Sequence, residues 1–225
     1  MEPHTATIGP NGRLPNALVL GLTSLLADRF TLNRAIREQH GSDESSYPSM
    51  PPDAVVWPES TDEVQAIVRL CAEHTIPIIP FGAGSSVEGH VLALQGGVCV
   101  DMSRMDKVLS IDTQDLSCRV QAGVTREALN TALAGTGYFF SVDPGADASL
   151  GGMVATGASG TNTVRYGTMR ENLLSLTVVL ANGEVVNWGG GSRERLGPDW
   201  CGLFTGSEGL FGVALEITLQ LLPQP

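Results

Sequence analysis

Charge is what this sequence has least of. Lysine, arginine, aspartate and glutamate make up 16% of its 225 residues, well below the roughly 25% of an ordinary soluble domain. The shortage is mostly basic: 13 Lys+Arg face 24 Asp+Glu, a formal net charge of −11. A nucleic-acid binder neutralises phosphates with clustered lysine and arginine, so that class is excluded. Long apolar runs are also missing. The longest, Ala17–Ala27, is 11 residues before Asp28 and Arg29 close it, against the ~20 that a membrane-crossing helix needs. It lacks the basic start and small-residue cleavage site of a secretory signal and reads as an amphipathic helix. Cys71, Cys99, Cys118 and Cys201 form no C-x-x-C pair, and His4, His40, His74 and His90 show no ligand spacing. The chain therefore reads as reduced and metal-free.

Glycine is in excess: 27 of 225 residues, about 12%, against a usual ~7%. No Gly-X-Y period accompanies it, which excludes collagen, and 42% hydrophobic residues exclude a disordered chain. The length suits one large domain or two small ones, with enough chain to bury a core. Glycine at this density in a folded chain means that the backbone comes close to something.

Ala54-Val55-Val56-Trp57 reads as a buried strand stopped by Pro58. Ser60 with Glu63 fits a capping box, and Val64, Ile67, Val68 and Cys71 mark one face of the helix that follows. Ile76–Ile79 is the next strand, so residues 54–80 form a β-α-β unit. Further strands are expected at 98–101, 108–111 and 118–122. Thr125 caps a helix that Gly135 and Gly137 end. Residues 176–180 and 185–188 flank Asn182-Gly183 as a hairpin with a two-residue turn, and Val213–Leu221 alternates as a strand.

Three glycine clusters interrupt these elements, at 81–89, 143–167 and 206–212. The first follows a strand but fails both common nucleotide fingerprints. A Rossmann loop would need glycine at Val87, and a P-loop would need lysine at Glu88. The underlying physics survives, because Gly82, Gly84, Ser85 and Ser86 expose successive backbone N–H groups and hydroxyls suited to phosphate oxygens. No lysine or arginine lies between residues 70 and 103, so backbone dipoles would have to hold the anion, as suits a pyrophosphate. Three such loops with interleaved Ser and Thr suggest one long cofactor laid across them.

The segments Pro80–Gly89, Val142–Met153, Ala158–Asn162, Val164–Arg170 and Gly206–Gly209 closely resemble the FAD-binding domain of cytochrome-type D-lactate dehydrogenases and glycolate oxidase flavoprotein subunits. That group is the PCMH-type, or vanillyl-alcohol-oxidase-like, flavoprotein superfamily, and the resemblance runs from about residue 36 to 222. It implies an α+β fold of two α+β subdomains with FAD between them. A helical extension would occupy 1–50 and the FAD-binding domain 51–225, divided into about 51–111 and 112–225. The loop Phe81, Gly82, Ala83, Gly84, Ser85, Ser86 and Val87 would cradle the pyrophosphate. Pro144, Gly145, Ser149, Gly151 and Gly152 would approach the flavin. Gly157, Ser159, Gly160, Tyr166 and Gly167 would line the rest of the channel, with Glu208, Gly209 and Val213 near the adenosine. Relatives that attach FAD covalently often carry histidine in the first loop; Ser85 stands after Gly84 here, so non-covalent FAD is expected. His90 reads as a surface loop residue.

The resemblance further implies hydride transfer from Cα of a small 2-hydroxyacid to flavin N5, with electrons passed to a quinone, a cytochrome or an electron-transfer flavoprotein. The cap domain that supplies the family's substrate-binding arginine and catalytic histidine is not found in these residues, and no catalytic residue is assigned. A partner chain supplying the cap would make this a non-catalytic flavin-binding subunit; a truncated, inactive product is the third reading. The family's Arg-Lys-Ser segment before Gly206 is replaced by Arg193–Leu203, where Cys201 reads as a buried structural thiol. Lack of a convincing presequence points to the cytoplasm or the inner membrane face, with mitochondria as the alternative.

Overall fold

The computed structural model describes residues 14–190 and 197–225. Helix α1 (Asn16–Leu26) buries Leu18, Leu22 and Leu26 at steps of four, continuing from buried Leu14. Each fully buried leucine contributes about 2 kcal/mol. The helix lies on α3 (Thr61–Glu73), where Gly21 leaves room for the Leu70 side chain. Between them come β1 (Phe30–Thr31), α2 (Arg34–Gln39) and β2 (Ala54–Val56).

The first sheet has the order β1-β2-β4-β3, with β3 at Ile78–Phe81 and β4 at Val98–Asp101. β2, β4 and β3 are parallel, and β1 pairs antiparallel with β2 at the edge. The β-α-β unit is present, with β4 inserted between its two strands. All of β2 and β4 is buried, as continuous apolar runs in a parallel sheet require. Val64, Ile67, Val68 and Cys71 are the buried face of α3.

Two local details differ from expectation. Ser60 Oγ accepts from the Glu63 N–H at 3.3 Å, but the Glu63 carboxylate accepts from the Glu59 N–H at 2.7 Å and from Arg29 at 2.6 Å, so the reciprocal half of the box is displaced. Strand β3 starts at Ile78 because Ile76 is still engaged in closing α3. Its N–H donates to Cys71 O at 2.9 Å and that of Thr75 to Ala72 O at 3.1 Å, a Schellman closure with Thr75 at φ 56°.

The second sheet is antiparallel, in the order β5-β6-β10-β8-β9: β5 (Val108–Asp112), β6 (Ser117–Gln121), β8 (Leu173–Val179), β9 (Val185–Gly189) and central β10 (Val213–Gln220). β10 buries Val213, Leu215, Ile217 and Leu219 in strict alternation. The hairpin between β8 and β9 has a three-residue loop, not the expected two. Gly183 N donates to Leu180 O and Leu180 N to Glu184 O, and of the Asn-Gly pair only Gly183 has positive φ. This is a type I turn closed by a glycine bulge. Helices α4 (Arg126–Ala132), α5 (Leu150–Thr156), α6 (Thr163–Tyr166), α7 (Met169–Asn172) and α8 (Trp200–Phe204) fill the connections, and β7 (Tyr138–Phe139) pairs with β11 (Leu222–Pro223). One continuous core joins α1, the two sheets and α5.

All four cysteines are buried. Burial pushes the Cys71 and Cys118 thiols up to about 12, which makes them inert packing groups. Among the described residues no helix is long and apolar enough to cross a membrane.

Candidate cofactor site

β3 delivers Phe81 to the start of the first glycine loop, and two contacts from the turn after α2 fix that loop's path. Glu44 N donates to Ser86 O at 2.9 Å and Gly89 N to Asp43 Oδ2 at 2.8 Å. Burial alone would raise the Asp43 carboxyl, but hydrogen bonds from Ser45 and Gly89 outweigh it and hold the group below its ordinary value. Across from the loop, Ser149 caps α5 by accepting from Gly152 N at 3.3 Å. A side chain at Gly82 would strike Ser149 Oγ, so glycine is what lets the two segments meet.

Above that junction lies a cleft of about 410 Å³, within the roughly 300–1,000 Å³ of small-molecule sites. Gly82, Ala83, Gly84, Ser85, Ser86 and Val87 form one wall; Pro144, Ser149, Gly152, Gly157 and Ser159 are on the other. Below it a narrow cavity of about 50 Å³ runs between the sheets, and Phe81, Gly151, Glu208, Gly209 and Val213 line it. Four of the expected residues line neither space. Gly145 lies between Pro144 and Ala146, which do line the cleft. Gly160 is pressed against the backbone carbonyl of Asp143, where a Cβ would collide. Tyr166 packs edge-on to Phe139 at 5.7 Å with the Arg165 guanidinium over its ring, and Gly167 ends α6 at φ 83°.

The two walls differ in chemistry. Among the described residues, the backbone N–H groups of Ala83 through Val87 donate to no protein acceptor. The first amides of α5 are committed: Leu150 to Val124 O, Gly151 to Ala122 O and Gly152 to Ser149 Oγ. The loop wall is therefore the one that can donate hydrogen bonds to phosphate oxygens. Among the described residues no lysine or arginine lines either space, and the narrow cavity is apolar around Met102, Ala122, Ala155 and Phe204.

His90 lies at the join of the two spaces, half-buried and lining both. This corrects its reading as a surface loop residue: Gly89, at φ 78°, turns the chain back beneath the loop. Its Nδ1 is buried and has no partner. Glu88, His90 and Glu208 bring their side-chain donor atoms within 4.8 Å of one another. Burial, then a hydrogen bond and repulsion from Glu208, push the Glu88 carboxyl up. Burial lowers the His90 imidazole against the opposing pull of Glu208 and Asp43. Glu208 itself holds φ 55°, a left-handed conformation uncommon outside glycine. Its place beside the glycine loop, in a stretch without any lysine or arginine, was visible in the sequence, but its burial was not.

A second histidine stands behind Phe81, ring centroids 4.7 Å apart. His40 bonds through Nδ1 to Ile36 O at 2.8 Å and through Nε2 to Asp101 Oδ2 at 2.9 Å. Trp57 Nε1 donates to the same Asp101 oxygen at 2.8 Å. Burial alone would lower His40, but the bonds to Asp101 and Ile36 outweigh it and raise the imidazole. Asp101 is lowered, its burial outweighed by bonds from His40 and Ser103.

In the divergent stretch, Arg193, Glu194, Arg195 and Leu196 lie outside the described residues. Beyond them Asp199 caps α8 by accepting from Gly202 N at 2.9 Å, and Trp200 stacks on Trp188 at 6.2 Å. Cys201 is buried, as expected.

The site fits FAD: an uncommitted run of amides for phosphates, a narrow apolar space beneath it, and an orphaned buried nitrogen between them. Comparison with known proteins agrees. Over 199 residues the chain is 51% identical to a probable mitochondrial D-lactate dehydrogenase of Danio rerio, covering 87% of this chain and 40% of that protein. It is 43% identical over 220 residues to the mitochondrial D-lactate dehydrogenase [cytochrome] of Arabidopsis thaliana, covering 96% and 39%. It thus spans about 40% of the length of these relatives. Among solved structures, an alkyldihydroxyacetonephosphate synthase superposes with a TM-score of 0.84 at 26% identity, over 95% of this chain and 41% of that one. The FAD binding domain family matches residues 52–189, and the chain belongs to that family, with the PCMH-type α+β fold and FAD as its cofactor.

Proposed function

We propose that this chain is the FAD-holding part of a D-2-hydroxyacid dehydrogenase whose substrate is D-lactate or the smaller glycolate. The observation that carries the site is the run of uncommitted amides from Ala83 to Val87 facing Ser149 and Gly152 across the cleft. Those amides hold the phosphates, Gly82 and Ser149 fix the separation of the walls, and Phe81 and Gly209 close the inner end. Bound FAD supplies the hydride acceptor for oxidation of the substrate α-carbon. With Ser85 in the first loop the cofactor is held non-covalently. The base for the hydroxyl proton and the cation for the substrate carboxylate come from a cap outside these residues. Electrons leave to a quinone, a cytochrome or an electron-transfer flavoprotein. The names of both relatives support a mitochondrial location.

The test is anaerobic mixing of the full-length protein, loaded with FAD, with D-lactate, L-lactate and glycolate in turn. Bleaching of the flavin band by D-lactate or glycolate, and not by L-lactate, is the expected result. Bleaching by L-lactate alone, or by none of the three, would contradict the assignment.

A further inference from the structure

We propose that His90 is a direct FAD-binding group, its buried Nδ1 bonding a phosphate oxygen of the cofactor, and that FAD binding draws a proton onto its imidazole. The proposal rests on the assignment of the cleft to FAD.

Three observations carry it. Of the four residues shared by the cleft and the narrow cavity, Gly82, His90, Ser149 and Gly152, only His90 has an ionisable side chain. Its Nδ1 is buried without a protein partner, whereas the great majority of buried polar atoms are satisfied. The residue that carries this orphan lines the cleft, so a ligand there is its natural partner once the ring turns toward it. The third observation is electrostatic. The pyrophosphate brings two negative charges to a cleft that has no lysine or arginine on its walls among the described residues. Among the described residues every charged neighbour of His90 is a carboxylate: Glu88 on its own loop, Asp43 from the turn after α2, and Glu208 from the loop before β10. Backbone amides solvate the phosphates but carry no net charge, so a proton on His90 is the compensation the site itself can provide.

Direction follows from the environment. Burial keeps the free imidazole neutral more readily than an exposed one. The arriving diphosphate favours the charged form, so the loaded protein binds more protons than the free one. FAD affinity is then highest in mild acid and falls as pH rises through the free and then the loaded value, by up to tenfold per pH unit between them.

The experiment is isothermal titration of the chain with FAD at about pH 6 and about pH 8.5, and at neutral pH in two buffers of different ionisation enthalpy. The expected result is an affinity about tenfold higher at the acid end, with net proton uptake at neutrality. His90→Asn, whose amide lies near the position of Nδ1 and does not titrate, should flatten the pH profile while retaining part of the affinity. His90→Leu should lose both. Thermal melts of the free variants confirm that each is folded, and proton uptake by the unmodified chain tests the proposal even if a variant is not. Wild-type-like pH dependence in His90→Asn, or FAD binding with no proton taken up, would overturn the role of His90 while leaving the cleft as the FAD site. A pH dependence abolished by EDTA would assign the cluster to a bound cation and overturn it as well. No FAD binding at any pH would overturn the site assignment itself.

Discussion

Two histidines flank Phe81 in opposite conditions. His40 has both ring nitrogens bonded, a carboxylate partner in Asp101, and Trp57 sharing that carboxylate. His90 has an orphaned nitrogen and carboxylates around it that are themselves crowded. Burial disfavours the charged form of each ring, yet His40 is raised and His90 is lowered, because only His40 donates hydrogen bonds that outweigh desolvation. A closed network is what a structural histidine looks like; an open one beside a cleft is what a ligand-binding residue looks like. The comparison separates stability from binding within a few residues of the same loop.

The largest expected effect breaks the closed side. Asp101→Ala leaves a buried imidazole and the Trp57 N–H without their acceptor and should destabilise the free chain by about 3 kcal/mol, measured by urea denaturation. FAD affinity of the folded fraction should change far less, since Asp101 lines neither space.

The same pair sets a pH signature. His40 is raised in the folded state, so its contribution is complete below about pH 6.5 and is lost as pH rises through the folded value. Asp101 is lowered, so its contribution is present above about pH 4 and is lost as pH falls through the folded value. The pair's own contribution, read as the difference in denaturation midpoint between the unmodified chain and Asp101→Asn, should therefore be level between about pH 4 and pH 6.5 and decline on both sides.

A smaller change sharpens the open side. Glu88→Gln removes one member of the crowded carboxyl pair, leaving Glu208 and Asp43 to face His90. FAD affinity near neutral pH should rise by about twofold to fivefold, as suits a partly exposed charge. Unchanged or weaker binding in a folded variant would show that Glu88 contributes a favourable contact instead. The least effect is expected far from both histidines. Thr75→Gly relieves a β-branched residue at φ 56° and should add up to about 1 kcal/mol of stability, with FAD binding unaltered.

Much of the fold was legible because its periodicities are clean. The face of α3 at Val64, Ile67, Val68 and Cys71 and the alternation of β10 are the buried sets that the sequence spelled out. What escaped depends on contacts distant in sequence. Nothing local says that β4 inserts between β2 and β3, or that Arg29 draws Glu63 away from its capping partner. The hairpin loop needed the φ values of Asn182 and Gly183, which the dipeptide alone leaves open.

The glycine clusters were legible as close approaches, but not as approaches to what. In the first loop the amides stay uncommitted and line the cleft, whereas Gly160 accommodates the protein's own Asp143 carbonyl. Glycine density therefore overstates the ligand's share, because internal backbone packing demands glycine just as strictly. His90 was hidden for the opposite reason: a single histidine on a polar loop carries no periodic signal, and its burial comes from the turn at Gly89.

The central claim is that the cleft between the first glycine loop and α5 holds FAD without a covalent bond. Its most direct test is absorption spectroscopy of the purified chain saturated with FAD and dialysed, then precipitated with acid. The account predicts about one flavin per chain, all of it released to the supernatant. A chain that takes up no FAD, or a pellet that stays yellow, would contradict it.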